Sequence, residues 1–111
     1  MFDTIEVSAK GCTVRDLYAY SMRATALSGT GNDLSVLNTV LECADDGYYA
    51  LSLNGTGGRV IGNVCTGYFG DIHLLGSGHI VMGNRVSHAV GTGSVTNCVV
   101  ANNLTVPWSE G

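Results

Sequence analysis

The sequence predicts an all-β chain, a parallel β-helix (solenoid) of about five short coils with no substantial helix. Three observations predict it. An apolar-x-Asn motif, with Asp in its first copy, occurs as Val14-Arg15-Asp16, Val36-Leu37-Asn38, Ile61-Gly62-Asn63, Met82-Gly83-Asn84 and Val100-Ala101-Asn102, at separations of 22, 25, 21 and 18 residues. A Gly-x-Gly pair precedes four of these motifs, and short alternating apolar segments precede most of the pairs. A period near 20 residues is that of one supersecondary unit stacked on copies of itself, not of a helix or a lone strand.

Each unit reads as strand, Gly turn, strand, Asn bend, strand. The first has Ile5 and Val7, then Gly11, Val14, Asp16 and Tyr18. The second has Thr25 and Leu27, Gly29/Gly31, Val36, Asn38 and Val40, and the third Leu51 and Leu53, Gly55/Gly57, Ile61, Asn63 and Cys65. The fourth has Ile72 and Leu74, Gly76/Gly78, Met82, Asn84 and Val86, and the fifth Gly91/Gly93, Val100, Asn102 and Leu104. Asn suits a sharp bend because it tolerates the left-handed region and bonds locally through its amide. Stacked at about 4.8 Å, such amides also bond to one another, so Asp16, Asn38, Asn63, Asn84 and Asn102 are expected to form a ladder.

Two stretches also match helix templates. Thr13-Val14-Arg15-Asp16 resembles a capping box ahead of Leu17, Tyr18 and Met22, and Asn32 stands where it can cap a helix carrying Leu34, Leu37 and Leu41. Val36, Asn38, Thr39 and Val40 are poor helix formers, and both stretches align with three others that have no helical period, so strands are expected.

Composition agrees. The chain has 16 Gly and 1 Pro in 111 residues, and its 13% charged residues fall well below the roughly 25% of an average soluble domain. One domain spanning 1–111 is expected, with no linker or charge run dividing it. The net charge of −4, with only five scattered Lys and Arg, argues against nucleic acid, which needs clustered basic residues to displace phosphate counterions. Neither an 18-residue apolar run nor a basic-then-apolar N-terminal signal occurs, so no membrane insertion is expected and synthesis in a cytoplasm is. Cys12, Cys43, Cys65 and Cys98 form no C-x-x-C pair, and reduced core thiols are the favoured reading over a disulfide or a metal site.

The order of short strands, G-x-G turns and bends, as in Gly57-Gly58-Arg59-Val60-Ile61-Gly62-Asn63 and Gly78-His79-Ile80-Val81-Met82-Gly83-Asn84, resembles the right-handed parallel β-helix of the pectin-lyase-like superfamily, which implies that hand for the coil here. Within it, the short rungs and low charge are most similar to bacteriophage tailspikes and related tail appendages. The resemblance implies a structural and binding module, a homotrimer of side-by-side β-helices, a place in a virion tail after synthesis in a bacterial cytoplasm, and contact with host-surface polysaccharide. Its alternative implication is a fragment of a polysaccharide hydrolase or lyase. Enzymatic relatives carry many more rungs, so this chain looks like a small relative or the C-terminal segment of a longer β-helix. A short β-helix exposes both ends; Val106-Pro107-Trp108 is expected to fold over the last coil, and trimerisation to bury Leu41, Ala50 and Leu75 as outward apolar residues.

Chemistry is sparse. Asp45-Asp46-Gly47 precedes Tyr48-Tyr49, and Tyr68-Phe69-Gly70-Asp71 follows one coil later. Asp45, Asp46 and Asp71 are the candidate carboxylates for glycoside chemistry. Tyr48, Tyr49, Tyr68, Phe69 and His73 are the candidate saccharide platform, the 20-residue spacing pairing Tyr48 with Tyr68 and Tyr49 with Phe69 on adjacent rungs. The competing reading is an aromatic stack closing a corner of the core beside an ordinary Asp-Asp-Gly turn. His73, His79 and His88 are spaced against convergence, and neither metal nor cofactor is expected. The G-x-G pairs lack the third Gly and the following helix of a nucleotide-binding fingerprint and are read as turns.

Overall fold

The computed structural model describes residues 5–8, 10–21, 25–44, 49–67, 70–87 and 90–105. They form a parallel β-solenoid. The first rung holds β1 (Ile5–Ser8), β2 (Thr13–Arg15) and β3 (Tyr18–Ser21), and the second β4 (Leu27–Thr30), β5 (Ser35–Leu37) and β6 (Val40–Cys43). The third holds β7 (Tyr49–Thr56), β8 (Arg59–Ile61) and β9 (Val64–Gly67), and the fourth β10 (Gly70–Ser77), β11 (Ile80–Met82) and β12 (Arg85–Val86). The fifth holds β13 (Val90–Thr96), β14 (Val99–Ala101) and β15 (Leu104–Thr105). Equivalent strands pair in parallel to give three sheets of five strands, so the chain winds about four turns, slightly fewer than the five coils expected. Among the described residues no helix occurs: 13–21 and 35–43, within the two stretches with helical templates, are each a pair of strands joined by a bend.

What folds the chain this way is a pair of corners on every rung. Gly11, Asp33, Gly57, Gly78 and Asn97 occupy the first, and Asp16, Asn38, Gly62, Gly83 and Asn102 the second, all with φ between 51° and 72°. Gly, Asn and Asp are the residues that enter this left-handed region at least cost. The two corners are five residues apart on all five rungs, enclosing one three-residue strand, and all variation in rung length lies elsewhere. In the long sheet a third column, Gly31, Gly55 and Gly76, holds φ of 139°, 147° and 106°. A Cβ on Gly55 would overlap the carbonyl oxygen of Gly31, and one on Gly76 that of Gly55, so no other residue fits. The fifth rung abandons this column: Val95 stands opposite Gly76, and Gly91 and Gly93 lie within β13 beside a register shift, not in a turn.

Inward residues stack in columns. Leu27, Leu51 and Ile72 form one, Val36, Val60 and Val81 another, and Leu41, Cys65 and Val86 a third, all with 3% exposure or less. Gly29 occupies the inward position of the second rung where Leu53 and Leu74 stand on the next two, and Leu34 and Leu53 fill the space its missing side chain leaves. This register corrects several sequence expectations. Leu41 and Ala50, read as outward, are fully buried, and Leu75 is half-buried. Tyr18, Val40 and Leu104, the residues two past the motif's polar position, point out, because Ala19, Leu41 and Thr105 hold the inward column. All four cysteines are thiols: Cys43 and Cys65 are buried, Cys12 and Cys98 half-buried. Val106, Pro107 and Trp108, the expected cap, lie outside the described residues.

Candidate functional site

The asparagine ladder exists one residue away from where the motif spacing placed it on three of the five rungs. Asn63, Asn84 and Asn103 stack on the inward side of the second corner, just after Gly62, Gly83 and Asn102. Asn63 donates its backbone N–H (2.9 Å) and its amide (3.1 Å) to Asn84 Oδ1, and Asn84 donates likewise to Asn103 Oδ1 (3.0 and 2.9 Å). The second amide hydrogen of each goes to a carbonyl of the preceding rungs: Asn63 to Val36, Asn84 to Val60 and Asn103 to Val81. Thr39 closes the ladder by donating its N–H and hydroxyl to Asn63 Oδ1 (2.9 and 2.7 Å), and Leu17 holds the equivalent place on the first rung.

Asp16, Asn38 and Asn102 are therefore not ladder members. They are the exposed left-handed corners, and the Asn38 amide lies over Gly62, where a Cβ would meet its oxygen at 2.7 Å. The physical reason is that rungs three and four use Gly at the corner, so the next Asn on those rungs is an inward residue. Asn63 and Asn84 do stack as expected, and Asn103 is the member that sequence reasoning missed. The signal that finds it is the fixed five-residue step between corners, Asn97 to Asn102, which makes Asn103 the equivalent of Asn84.

His79, following the first corner as Asn84 follows the second, is buried. Its Nδ1 accepts the Gly58 N–H at 3.0 Å and its Nε2 lies 2.9 Å from the Leu75 carbonyl, which fixes the neutral tautomer with the proton on Nε2. It is a satisfied core histidine. Among the described residues no group of three His, Cys, Asp or Glu is placed to hold a metal.

The outer face of the long sheet carries the candidate saccharide site. His73 is in register with Ser52 and, through it, with Ser28, while Asn54 and Thr30 follow two positions along. The Tyr49 ring stacks on His73, with centroids 4.4 Å apart and planes 8° from parallel. Two members of the predicted platform thus meet, by a different pairing from the one expected: Tyr49 is in register with Gly70, 21 residues on, not with Phe69. Asp45, Asp46, Tyr48, Tyr68, Phe69 and His88 lie outside the described residues, and of Asp71 only the backbone place in β10 is described.

A second aromatic group stands on β3. Tyr18 and Tyr20 point out with 62% and 46% exposure, and the Tyr18 hydroxyl donates to Glu42 Oε1 at 3.0 Å. That bond to a carboxylate raises the Tyr18 pKa above the ordinary value for tyrosine, with smaller contributions from desolvation and from the Glu42 charge. Compared with known proteins, the chain matches no family model, no curated protein and no solved structure.

Proposed function

We propose that this chain is a structural and binding module of a phage-tailspike-like appendage, trimerising side by side and contacting host-surface polysaccharide through the outer face of its long sheet. The observation that carries the binding half is the stacked Tyr49–His73 pair. Aromatic rings are surfaces against which sugar C–H faces rest, and the adjoining rows of Ser28, Ser52, Thr30 and Asn54 supply hydroxyls and amides for sugar hydroxyl groups. The supporting structure is rigid, since the rows sit on strands paired on both sides.

Support for lateral association comes from the second corner. Outward rows on either side of it are apolar over the middle rungs: Leu37, Ile61 and Met82 on one flank, after Arg15, and Val40 and Val64 on the other, before Arg85, with Ile61 and Val64 more than a third exposed. The strip runs along the solenoid axis at the rung spacing, so a parallel copy presents knobs of the same pitch. Polysaccharide preparations from bacterial capsules and lipopolysaccharide test the binding half. Binding without release of reducing ends, weakened about tenfold by Tyr49→Ala (about 1.4 kcal/mol), is the expected result. Turnover of the glycan points to an enzyme instead, and binding unaffected by Tyr49→Ala and His73→Ala overturns the site. Sedimentation equilibrium at micromolar concentration is expected to return three copies; a monomer mass overturns the trimer.

A further inference from the structure

The outer face of the sheet that contains β3, β6 and β9 carries a cluster that the saccharide platform does not use. Strand alternation turns Ala19, Leu41 and Cys43 inward and leaves Tyr18 and Tyr20 exposed on β3, with Glu42 half-buried beside them on β6. Tyr20 is in register with Glu42 and Tyr18 with Val40, so the 3.0 Å bond from the Tyr18 hydroxyl to Glu42 Oε1 carries the Tyr18 side chain diagonally across the face toward the Tyr20 row. Tyr20 is also near enough to count among the causes of the raised Tyr18 pKa, after the Glu42 bond, desolvation and the Glu42 charge. Two phenol rings thus stand beside one carboxylate, on strands paired along their whole length.

Glu42 forms no ion pair among the described residues, where the one such pair is Arg15 with Asp16. The positions that follow along the two outward rows, Val40 and Val64 in one and Thr66 in the other, are uncharged, and the first basic residue met is Arg85, three rungs from Tyr18. The face therefore presents a negative charge and two aromatic rings with no internal cation to answer them. A ring face attracts a cation through its quadrupole, and a carboxylate adds direct charge.

The chemistry of the cation follows from the acceptors. The Tyr18 hydroxyl already occupies Oε1, so the cluster offers full charge but few oxygens. A primary ammonium is compact and strongly hydrated, with three donors to satisfy, and would lose water bonds that these groups do not replace. A quaternary ammonium has no N–H and spreads its charge over methyl groups that rest on rings. We propose that Tyr18, Tyr20 and Glu42 form a binding site for a quaternary ammonium group of the choline class. The site lies on a different sheet from Tyr49 and His73, and its fate is separate from that of the saccharide platform.

Titration of the protein with choline at constant pH and ionic strength, read by NMR of the tyrosine ring carbons, tests it. The Tyr18 and Tyr20 signals are expected to move together along one saturable curve at millimolar choline. Dimethylbutanol, the uncharged carbon isostere of choline, and ethanolamine, its primary ammonium counterpart, are each expected to bind about fivefold more weakly, the factor that a cation–π contact at an exposed site supplies. Glu42→Gln keeps an oxygen for the Tyr18 hydroxyl and removes the charge, and Tyr20→Leu removes one ring; each is expected to weaken choline binding about fivefold without lowering Tm. Phosphocholine and phosphatidylcholine vesicles distinguish the sources of the group. Binding of phosphocholine without sedimentation on vesicles is expected and assigns a soluble or polymer-borne choline, whereas sedimentation reversed by free choline assigns a lipid headgroup. Equal affinity for choline and either comparison compound, or choline binding that neither variant weakens, overturns the proposal. So does the absence of a saturable shift in the parent, a result that depends on no variant.

Discussion

Replacing Asn84 by Leu separates the inward ladder from the exposed corners. Asn84 is 2% exposed, and its amide makes four bonds: two accepted from Asn63, one donated to Val60 O and one to Asn103 Oδ1. After Asn84→Leu the Asn63 amide keeps Val36 O and Asn103 Oδ1 keeps the backbone N–H of residue 84, but the buried Asn63 N–H and the Val60 carbonyl lose these partners. Each such loss costs about 1–3 kcal/mol, and the leucine side chain returns about 1–2 kcal/mol by burial, leaving a deficit of about 3 kcal/mol. For a chain of this size that lowers Tm by about 15 °C. Asn102, an exposed corner at φ 55°, is expected to behave differently: Asn102→Gly is neutral and Asn102→Ala costs about 1 kcal/mol. Far-UV circular dichroism melts of the three variants under one set of conditions decide the matter. If Asn84→Leu is no worse than Asn102→Ala, the assignment of these two columns is wrong. Asn84→Asp adds a pH signature. A buried carboxylate lacks the donor that Val60 O and Asn103 Oδ1 require, so its folded pKa lies above the unfolded value of about 3.9. The deficit against the parent therefore grows as pH rises above about 4 and shrinks below it.

Two further outcomes are expected. Gly55→Ala prevents folding, because its Cβ would overlap the Gly31 carbonyl, whereas Gly11→Ala, at φ 71° with open space around it, costs only about 1–2 kcal/mol of left-handed strain; soluble yield and melting temperature distinguish them, and equal damage refutes the close approach. Glu42→Gln lowers the Tyr18 pKa, because the carboxylate that accepts the hydroxyl bond favours the protonated phenol and that bond is lost as pH rises through the raised value; NMR titration of the tyrosine ring carbons reads it, and an unmoved Tyr18 midpoint refutes the hydrogen bond as cause.

Much of the architecture was legible because it rests on local sterics. Gly, Asn and Asp recur where the backbone turns left-handed, Val recurs in the three-residue strand between corners, and the alternation in Leu51-Ser52-Leu53 and Ile72-His73-Leu74 marks a half-buried strand. The candidate site was legible only in composition. Tyr49 and His73 were both named from sequence, but the 20-residue spacing paired Tyr49 with Phe69, whereas the register is 21 and the contact is diagonal, to His73. The glycine pairs misled in the same way: Gly57 and Gly78 are corners, Gly31, Gly55 and Gly76 are a close-approach column, and Gly91 and Gly93 are neither.

The period, the residue types able to stand at a corner and the parallel stacking that follows were fixed by the sequence alone, because each is a constraint that a residue imposes on its own backbone. Which of two adjacent residues faces inward was decided by the neighbouring rung. In a strand the side-chain period is two, so a slip of one residue exchanges core for solvent. The inward place of Leu41 and Ala50, the Asn103 rung of the ladder and the burial of His79 all depend on that choice, and only the hydrogen-bonded rungs above and below settle it.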